Sequence, residues 1–291
     1  EHRRAVVVGA VLLADAVADE DAGVGVRAVI PLAEGGRRGR VPPFESFRDR
    51  VAVVTGAASG IGRDLMFALI QRGVHVAACD LNAQKLQSSV RKAHRLDPEI
   101  RVTSHVCDVA DRLAVRELQL DVAREHGTDR IHFLFNNAGT IGGMSFVNSP
   151  PEEWERTFAV SWSGTYNCTR EFLPMLLAAD QGAVVNTASV NALWASLGSR
   201  TPHSAYSSAK FAVRGFTESL VVDFQRNAPH LSAVLVLAGH VRTGMPAPPR
   251  TWKRAFGGAF ADYEPVSSDS AARMILDAVE RGDWRVIIGD D

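Results

Sequence analysis

The stretch Val51-Ala52-Val53-Val54-Thr55-Gly56-Ala57-Ala58-Ser59-Gly60-Ile61-Gly62 runs from an apolar segment through a glycine-rich turn into the start of a helix. Val51–Thr55 is short and almost continuously apolar, as expected of a strand buried on both faces. Beyond the turn, Ile61, Leu65, Ala68 and Leu69 recur at helical spacing up to Arg72, and Gly73 supplies a stop signal. Glycines permit a tight turn and a close approach of backbone to a pyrophosphate, while the helix N-terminus offers unpaired N–H groups. Asp80 lies 18 residues past Gly62, at the end of the next apolar run. A carboxylate there is placed to accept hydrogen bonds from an adenosine ribose. Its charge repels a 2′-phosphate, and neither Ser59 nor Leu81 is basic, so the pattern favours NAD over NADP. Arg63, one residue past the glycines, argues the other way.

The same alternation continues along the chain. Strands are predicted at Val74–Cys79, Ile100–Cys107, Ile131–Phe135, Ala183–Asn186, Leu231–Leu237 and Arg285–Ile288. Helices are predicted at Ala83–Leu96, Leu113–His126 (closed by Gly127), Ala205–Asn227 and Ser268–Arg281. A long helix is predicted from Glu152 to Ala179, bent at Pro174. Strands alternating with helices predict an α/β fold, one doubly wound parallel sheet over about residues 44–291.

Composition narrows the function classes. The chain has 291 residues, 46% hydrophobic and 22% charged, with 32 Lys plus Arg against 33 Asp plus Glu. That balance lacks the basic excess from which nucleic-acid binders draw their affinity, so no nucleic-acid partner is expected. No apolar run approaches the roughly 18 residues of a spanning helix, so no membrane partner is expected either. The three cysteines, Cys79, Cys107 and Cys168, show no metal-ligand spacing and read as reduced thiols of a cytoplasmic protein. No metal site is expected. Residues 1–43 differ from the rest. Glu1 to Arg4, the apolar Ala5 to Ala14 and Ala16-Val17-Ala18 outline a secretory signal, but Asp15 and the acids at 19–21 crowd its cleavage site. The segment reads as a flexible extension ending in glycines, arginines and Pro42-Pro43.

Three motifs in this order resemble the short-chain dehydrogenase/reductase family: TGAASGIG at 55–62, Asn136-Asn137-Ala138-Gly139, and Tyr206-Ser207-Ser208-Ala209-Lys210. The resemblance spans about residues 50–291. It implies a single-domain Rossmann fold, with a short substrate lid after strand six, and nicotinamide-dependent oxidoreduction. It also implies that Gly56, Ser59, Gly60 and Ile61 hold the diphosphate, that Asp108 and Val109 flank the adenine, and that Asn137, Ala138 and Gly139 lie beneath the cofactor. Gly239, Val241 and Thr243 match the loop that meets the nicotinamide amide.

Tyr206 and Lys210 are four residues apart, so a helix carries them on one face. A free tyrosine titrates near pH 10, and a neighbouring lysine cation is expected to favour the phenolate. A fall of about 2–3 units requires roughly 3–4 kcal/mol. By the resemblance, Tyr206 exchanges the proton, Lys210 anchors the ribose and tunes Tyr206, and Ser189 steadies the substrate oxygen. Tyr206 and Lys210 thereby belong to the cofactor site as well.

Two departures stand out. Ser161, in Val160-Ser161-Trp162-Ser163-Gly164, occupies the place of the family's usual Asn, and Ala238-Gly239 replaces the usual Pro-Gly. Serine reaches less far than an amide. The sequence therefore leaves two readings. One is an NAD-dependent oxidoreductase acting on a hydrophobic secondary alcohol or ketone; the other is a cofactor-binding, weakly catalytic sensor or scaffold. Leu193, Trp194, Leu197, Trp252 and Phe256 suggest the apolar substrate pocket, with Met245–Tyr263 contributing the lid. The resemblance further implies a homodimer or homotetramer through the helices at 152–179 and 205–227.

Overall fold

The structure, a computed structural model, describes residues 41–195, 202–243 and 264–289. Seven parallel strands form the central sheet: β1 (Val51–Thr55), β2 (His75–Asp80), β3 (Val102–Val106), β4 (Phe133–Asn136), β5 (Gly182–Thr187), β6 (Leu231–Ala238) and β9 (Arg285–Ile288). Their spatial order is β3-β2-β1-β4-β5-β6-β9. A second, two-stranded ladder pairs β7 (Val241–Arg242) with β8 (Val266–Ser267) just beyond β6. The predicted α/β doubly wound architecture is what the described residues adopt. The predicted lid, with Trp252 and Phe256, lies outside them, as does Leu197.

Alternation along each strand divides the core between two layers. Ala52, Val54, Val76 and Ala78 face one apolar cluster, while Val51, Val53, Ala77 and Cys79 face another. The first is completed by α1 (Gly60–Ile70), α2 (Ala83–Ala93) and α7 (Ser268–Arg281). The second is completed by α3 (Arg112–His126), α5 (Gly164–Leu177) and the end of α6 (Ser204–Asn227). Side chains two residues apart on a strand share a face, so a near-continuous apolar strand can feed both layers. Val41 is buried too, and its N–H donates to Gly282 O at 2.7 Å, so the residues just before position 44 pack on the domain.

Local signals set the helix ends. Asp111 accepts on its side chain from the Leu113 and Ala114 N–H groups, capping α3, and Gly127 closes that helix at φ 61°. The predicted helix over 152–179 is divided. α4 (Pro151–Phe158) passes through a π-helical turn, Ala159–Ser163, into α5, and Pro174 sits inside α5 without ending it. A wide turn of this kind adds a residue to the helical repeat and often marks a functional site.

Winding outward from β1 to β3 and then back to β4 leaves a crevice between the C-terminal ends of β1 and β4, where open α/β sheets bind ligands.

Candidate active site

Glycines close that crevice down. Gly56 has φ 69°, and a Cβ added there would stand 3.0 Å from Ala138 Cα. A Cβ on Gly62 would stand 2.3 Å from Gly56 O and 2.5 Å from Asn137 Nδ2, so α1 packs on its own turn only because side chains are missing. Gly60 is approached from the far side by Thr243, which brings the segment after β6 onto the glycine turn. Ile61 is buried beneath this turn, and Ser59 precedes α1 in an extended conformation.

Thr55, not singled out in the sequence, ties the two sides together. Its buried hydroxyl accepts from the Asn137 and Ala138 N–H groups, both at 3.0 Å, and donates to Phe135 O at 3.2 Å. Asn137 Nδ2 in turn donates to Thr55 O. The signal was its position at the end of β1 and before Gly56, but only the β1–β4 adjacency shows what the hydroxyl reaches.

Asp80 Oδ2 accepts from Ala58 N–H at 3.0 Å and Oδ1 from Asn82 N–H at 2.8 Å, which locks the carboxylate beside the turn. Arg63 is engaged elsewhere, donating to Asp64 at 2.8 Å, and Asp64 also accepts from Ser268 on α7. Gly56, Asp80, Asp108, Val109, Ala138 and Gly139 line one cleft of about 370 Å³. Arg156 and Val160, from α4 and the π-helical turn, complete its opposite wall. Asp108 accepts from Ala110 N–H and from Arg156 Nη1, the latter at 2.7 Å. Partial burial alone would raise the Asp108 pKa, but these two bonds outweigh it and hold the carboxyl below its ordinary value.

Farther along the crevice, Ser189 follows β5 in extended backbone and its Oγ accepts from Asn191 N–H at 3.2 Å. Tyr206 and Lys210 stand on the first turns of α6, and Ser189 lies near enough to Tyr206 to favour its phenolate. The predicted trio is thus brought together. Lys210 is buried, its Nζ donating to Thr187 O at 2.7 Å and lying 5.5 Å from the centre of the Tyr206 ring. Burial lowers its pKa to about 8. The expectation for Tyr206 is corrected: burial raises its pKa above the ordinary value, and the nearby Ser189 hydroxyl offsets this only in part. The reason is that desolvation penalises the phenolate, while the Lys210 ammonium is directed at a backbone carbonyl.

Ser161 is fully buried in the π-helical turn. Its hydroxyl donates to Thr140 O at 3.2 Å and accepts from Thr140 N–H at 3.3 Å. A Cβ on Gly139 would lie 3.6 Å from Lys210 Nζ and 3.7 Å from Ser161 Oγ, so both groups look onto the same glycine. Beyond β6, Gly239 N–H donates to Ile288 O, and Val241 opens β7. The loop after β4 is pinned to α6 by Ser204 N–H on Met144 O, and the segment after β5 by Ser207 Oγ on Ala195 O. Trp194 next to it is 59% exposed. Among the described residues, no group of three or more His, Cys, Asp and Glu could hold a metal ion, and no helix is long and apolar enough to cross a membrane.

This geometry has relatives. The family model for short chain dehydrogenases matches residues 50–254. The chain belongs to the short-chain dehydrogenase/reductase family. The chain is 33% identical over 254 residues to SadH of Mycobacterium tuberculosis (strain H37Rv), a protein named as an oxidoreductase, covering 84% of this chain and 88% of that one. It is 30% identical over 196 residues to the 3-oxoacyl-[acyl-carrier-protein] reductase FabG of Thermotoga maritima, covering 67% of this chain and 76% of the relative. Among solved structures, a short-chain dehydrogenase/reductase of Burkholderia phymatum in complex with NAD superposes with a TM-score of 0.72. Its sequence identity is 25%, and the match covers 84% of this chain and 90% of that one. As a member of this family the dehydrogenase is an oxidoreductase that uses a nicotinamide cofactor and a small-molecule substrate. The glycine cradle and the cleft beside Asp80 fit such a dinucleotide.

Proposed function

We propose that this dehydrogenase is NAD-dependent and moves a hydride between the nicotinamide and a hydrophobic secondary alcohol or ketone. The observation that carries the proposal is the Asp80 carboxylate, locked by two backbone N–H groups on the cleft that also holds Gly56 and Gly139. An anion fixed there accepts from ribose hydroxyls and repels a 2′-phosphate. With Arg63 committed to Asp64, no cation from α1 offsets it. The NAD complex of the Burkholderia relative lends support.

The bound nicotinamide supplies or accepts the hydride. The chain's residues handle the proton and the charge. Tyr206 gives a proton to the substrate oxygen in reduction and takes it back in oxidation. Ser189, close to Tyr206, donates to that oxygen as charge develops on it. Lys210 holds the ribose and favours the phenolate once bound ligand completes its surroundings. Gly56, Ser59, Gly60 and Ile61 receive the diphosphate at the N-terminus of α1; Asp108 and Val109 flank the adenine. Asn137, Ala138 and Gly139 form the floor, and Gly239, Val241 and Thr243 the nicotinamide end. Half-exposed apolar residues on the outer helices, Tyr166 and Leu177 on α5 and Phe211 and Val222 on α6, support a homodimer or homotetramer. We assign the working unit to about residues 41–291, its expected start at 44 moved back by the packed Val41, with the preceding residues as an extension, in a cytoplasmic protein.

Fluorescence titrations with NAD and NADP test the cofactor reading without a substrate. NAD should bind at least tenfold more tightly than NADP, and Asp80→Asn should narrow that gap. Tighter NADP binding would overturn the role of Asp80, and binding of neither would remove the oxidoreductase reading. A panel of alcohols then tests the substrate class, for which preference for small polar members is the failing result.

A further inference from the structure

The cleft beside Asp80 has a lining residue that no motif announces, Arg156. Arg156 and Val160, one helical turn apart, reach the cleft from α4 and the π-helical turn, whereas the other lining residues follow strands β1 to β4. Arg156 is 48 residues away from Asp108 in sequence, yet its Nη1 donates to Asp108 Oδ2 at 2.7 Å. The ion pair therefore bridges α4 and the end of β3 at the cleft, joining two walls that share no backbone hydrogen bonding. Among the described residues the Arg156 side chain makes no other hydrogen bond, so one of its five N–H groups is used, and the side chain is 45% exposed. Among the described residues lining the cleft, Arg156 is the one cation, set against the carboxylates of Asp80 and Asp108.

We propose that Arg156 is an adenosine-binding residue, its guanidinium held by Asp108 as a planar clamp over the adenine end of the dinucleotide. The inference rests on the dinucleotide reading above and adds a residue to it. A guanidinium suits the position for two reasons. It stacks on an aromatic ring face while weakly hydrated, and it donates in its own plane to a carboxylate at the same time. Asp108, already below its ordinary pKa, keeps the charge that orients the fork. A carboxylate has about four lone-pair directions and two are taken, so two remain, one of which can accept from the exocyclic amino group of adenine. The clamp acts on the adenosine half alone, because its partner Asp108 stands at the end of β3, the edge strand of the sheet, two strands from the β1–β4 crevice.

The test separates the two halves of the cofactor. Binding of ADP and of nicotinamide mononucleotide is measured by calorimetry on the full chain, for the native protein, Arg156→Ala and Arg156→Lys. Arg156→Ala should weaken ADP about tenfold and leave nicotinamide mononucleotide unchanged, and the KM for NAD should rise by a similar factor. Arg156→Lys keeps the charge and loses the planar fork, so it should recover only part of the affinity. Equal ADP binding by native protein and Arg156→Ala overturns the inference and leaves the dinucleotide reading standing. So does a loss shared equally by both half-cofactors, which would mean a general loosening of α4. If the native protein binds neither ADP nor NAD, the dinucleotide reading falls and takes this inference with it.

Discussion

Tyr206, Lys210 and Ser189 lie together, and their environment sets the protonation each favours. Tyr206 is shifted toward its neutral form by burial, and Lys210 is eased toward losing its proton, with a pKa of about 8. A neutral phenol is ready to donate, which suits reduction of a carbonyl; oxidation needs the phenolate. Replacing Tyr206 with Phe removes the exchangeable proton and keeps the ring. Turnover should fall by roughly 10²–10⁴, with NAD affinity falling far less, as steady-state rates and a titration would reveal. A fall of less than tenfold would mean that another group exchanges the proton. Spacing alone showed that positions 206 and 210 share a helix face. The direction of the tyrosine shift was hidden, because desolvation depends on everything packed around the phenol.

Among the elements, the glycine turn and α1 are the most exacting. Gly62 and Gly127 are both glycines of helices, yet they are required for different reasons. At Gly62 a methyl group would collide with the Gly56 carbonyl, and relieving that clash would displace the glycine turn. At Gly127 nothing lies within 4 Å, and only the positive φ resists a side chain. Gly62→Ala should therefore cost about 1–3 kcal/mol of stability by overpacking and weaken NAD binding as well. Gly127→Ala should cost about 1 kcal/mol from strain at the αL cap and leave NAD binding as it was. Denaturant melts paired with titrations distinguish these outcomes, and equal effects on binding would refute the division. The turn and its flanking elements were legible because strand, glycines and helix are contiguous. The π-helical turn at Ala159–Ser163 was not, since its periodicity differs from an α-helix by one residue within an otherwise helical pattern.

Over the whole molecule, buried histidines couple the fold to pH. His126 and His132 are both held neutral by burial, with pKa values of about 4, and His105 is shifted in the same direction. His132 Nδ1 accepts from Val51 N–H at 3.1 Å, a bond that tethers β4 to β1 and that protonation would remove. The unfolded chain binds these protons near pH 6.5, so stability is full above that value and falls as pH drops toward 4. The loss is roughly 2 kcal/mol for each of the two at pH 5. Chemical denaturation at pH 7.5 and pH 5 should show the decline, and His132→Gln should make it shallower. A slope unchanged by that substitution would place the coupling elsewhere.

The chain's own order of residues determined the strand–helix alternation, the glycine turn, Asp80 at the end of β2 and the Tyr206/Lys210 pair. Each of these depends on periodicity, backbone freedom or short spacing, which are properties of contiguous residues. Tertiary structure alone decided that Thr55 ties β1 to the segment after β4, that Ser161 spends its hydroxyl on Thr140, and that Arg156 meets Asp108 across the cleft. Those contacts join residues 21 to 82 positions apart. Their energies come from geometry and desolvation, which exist only once the sheet has brought its edges and helices together.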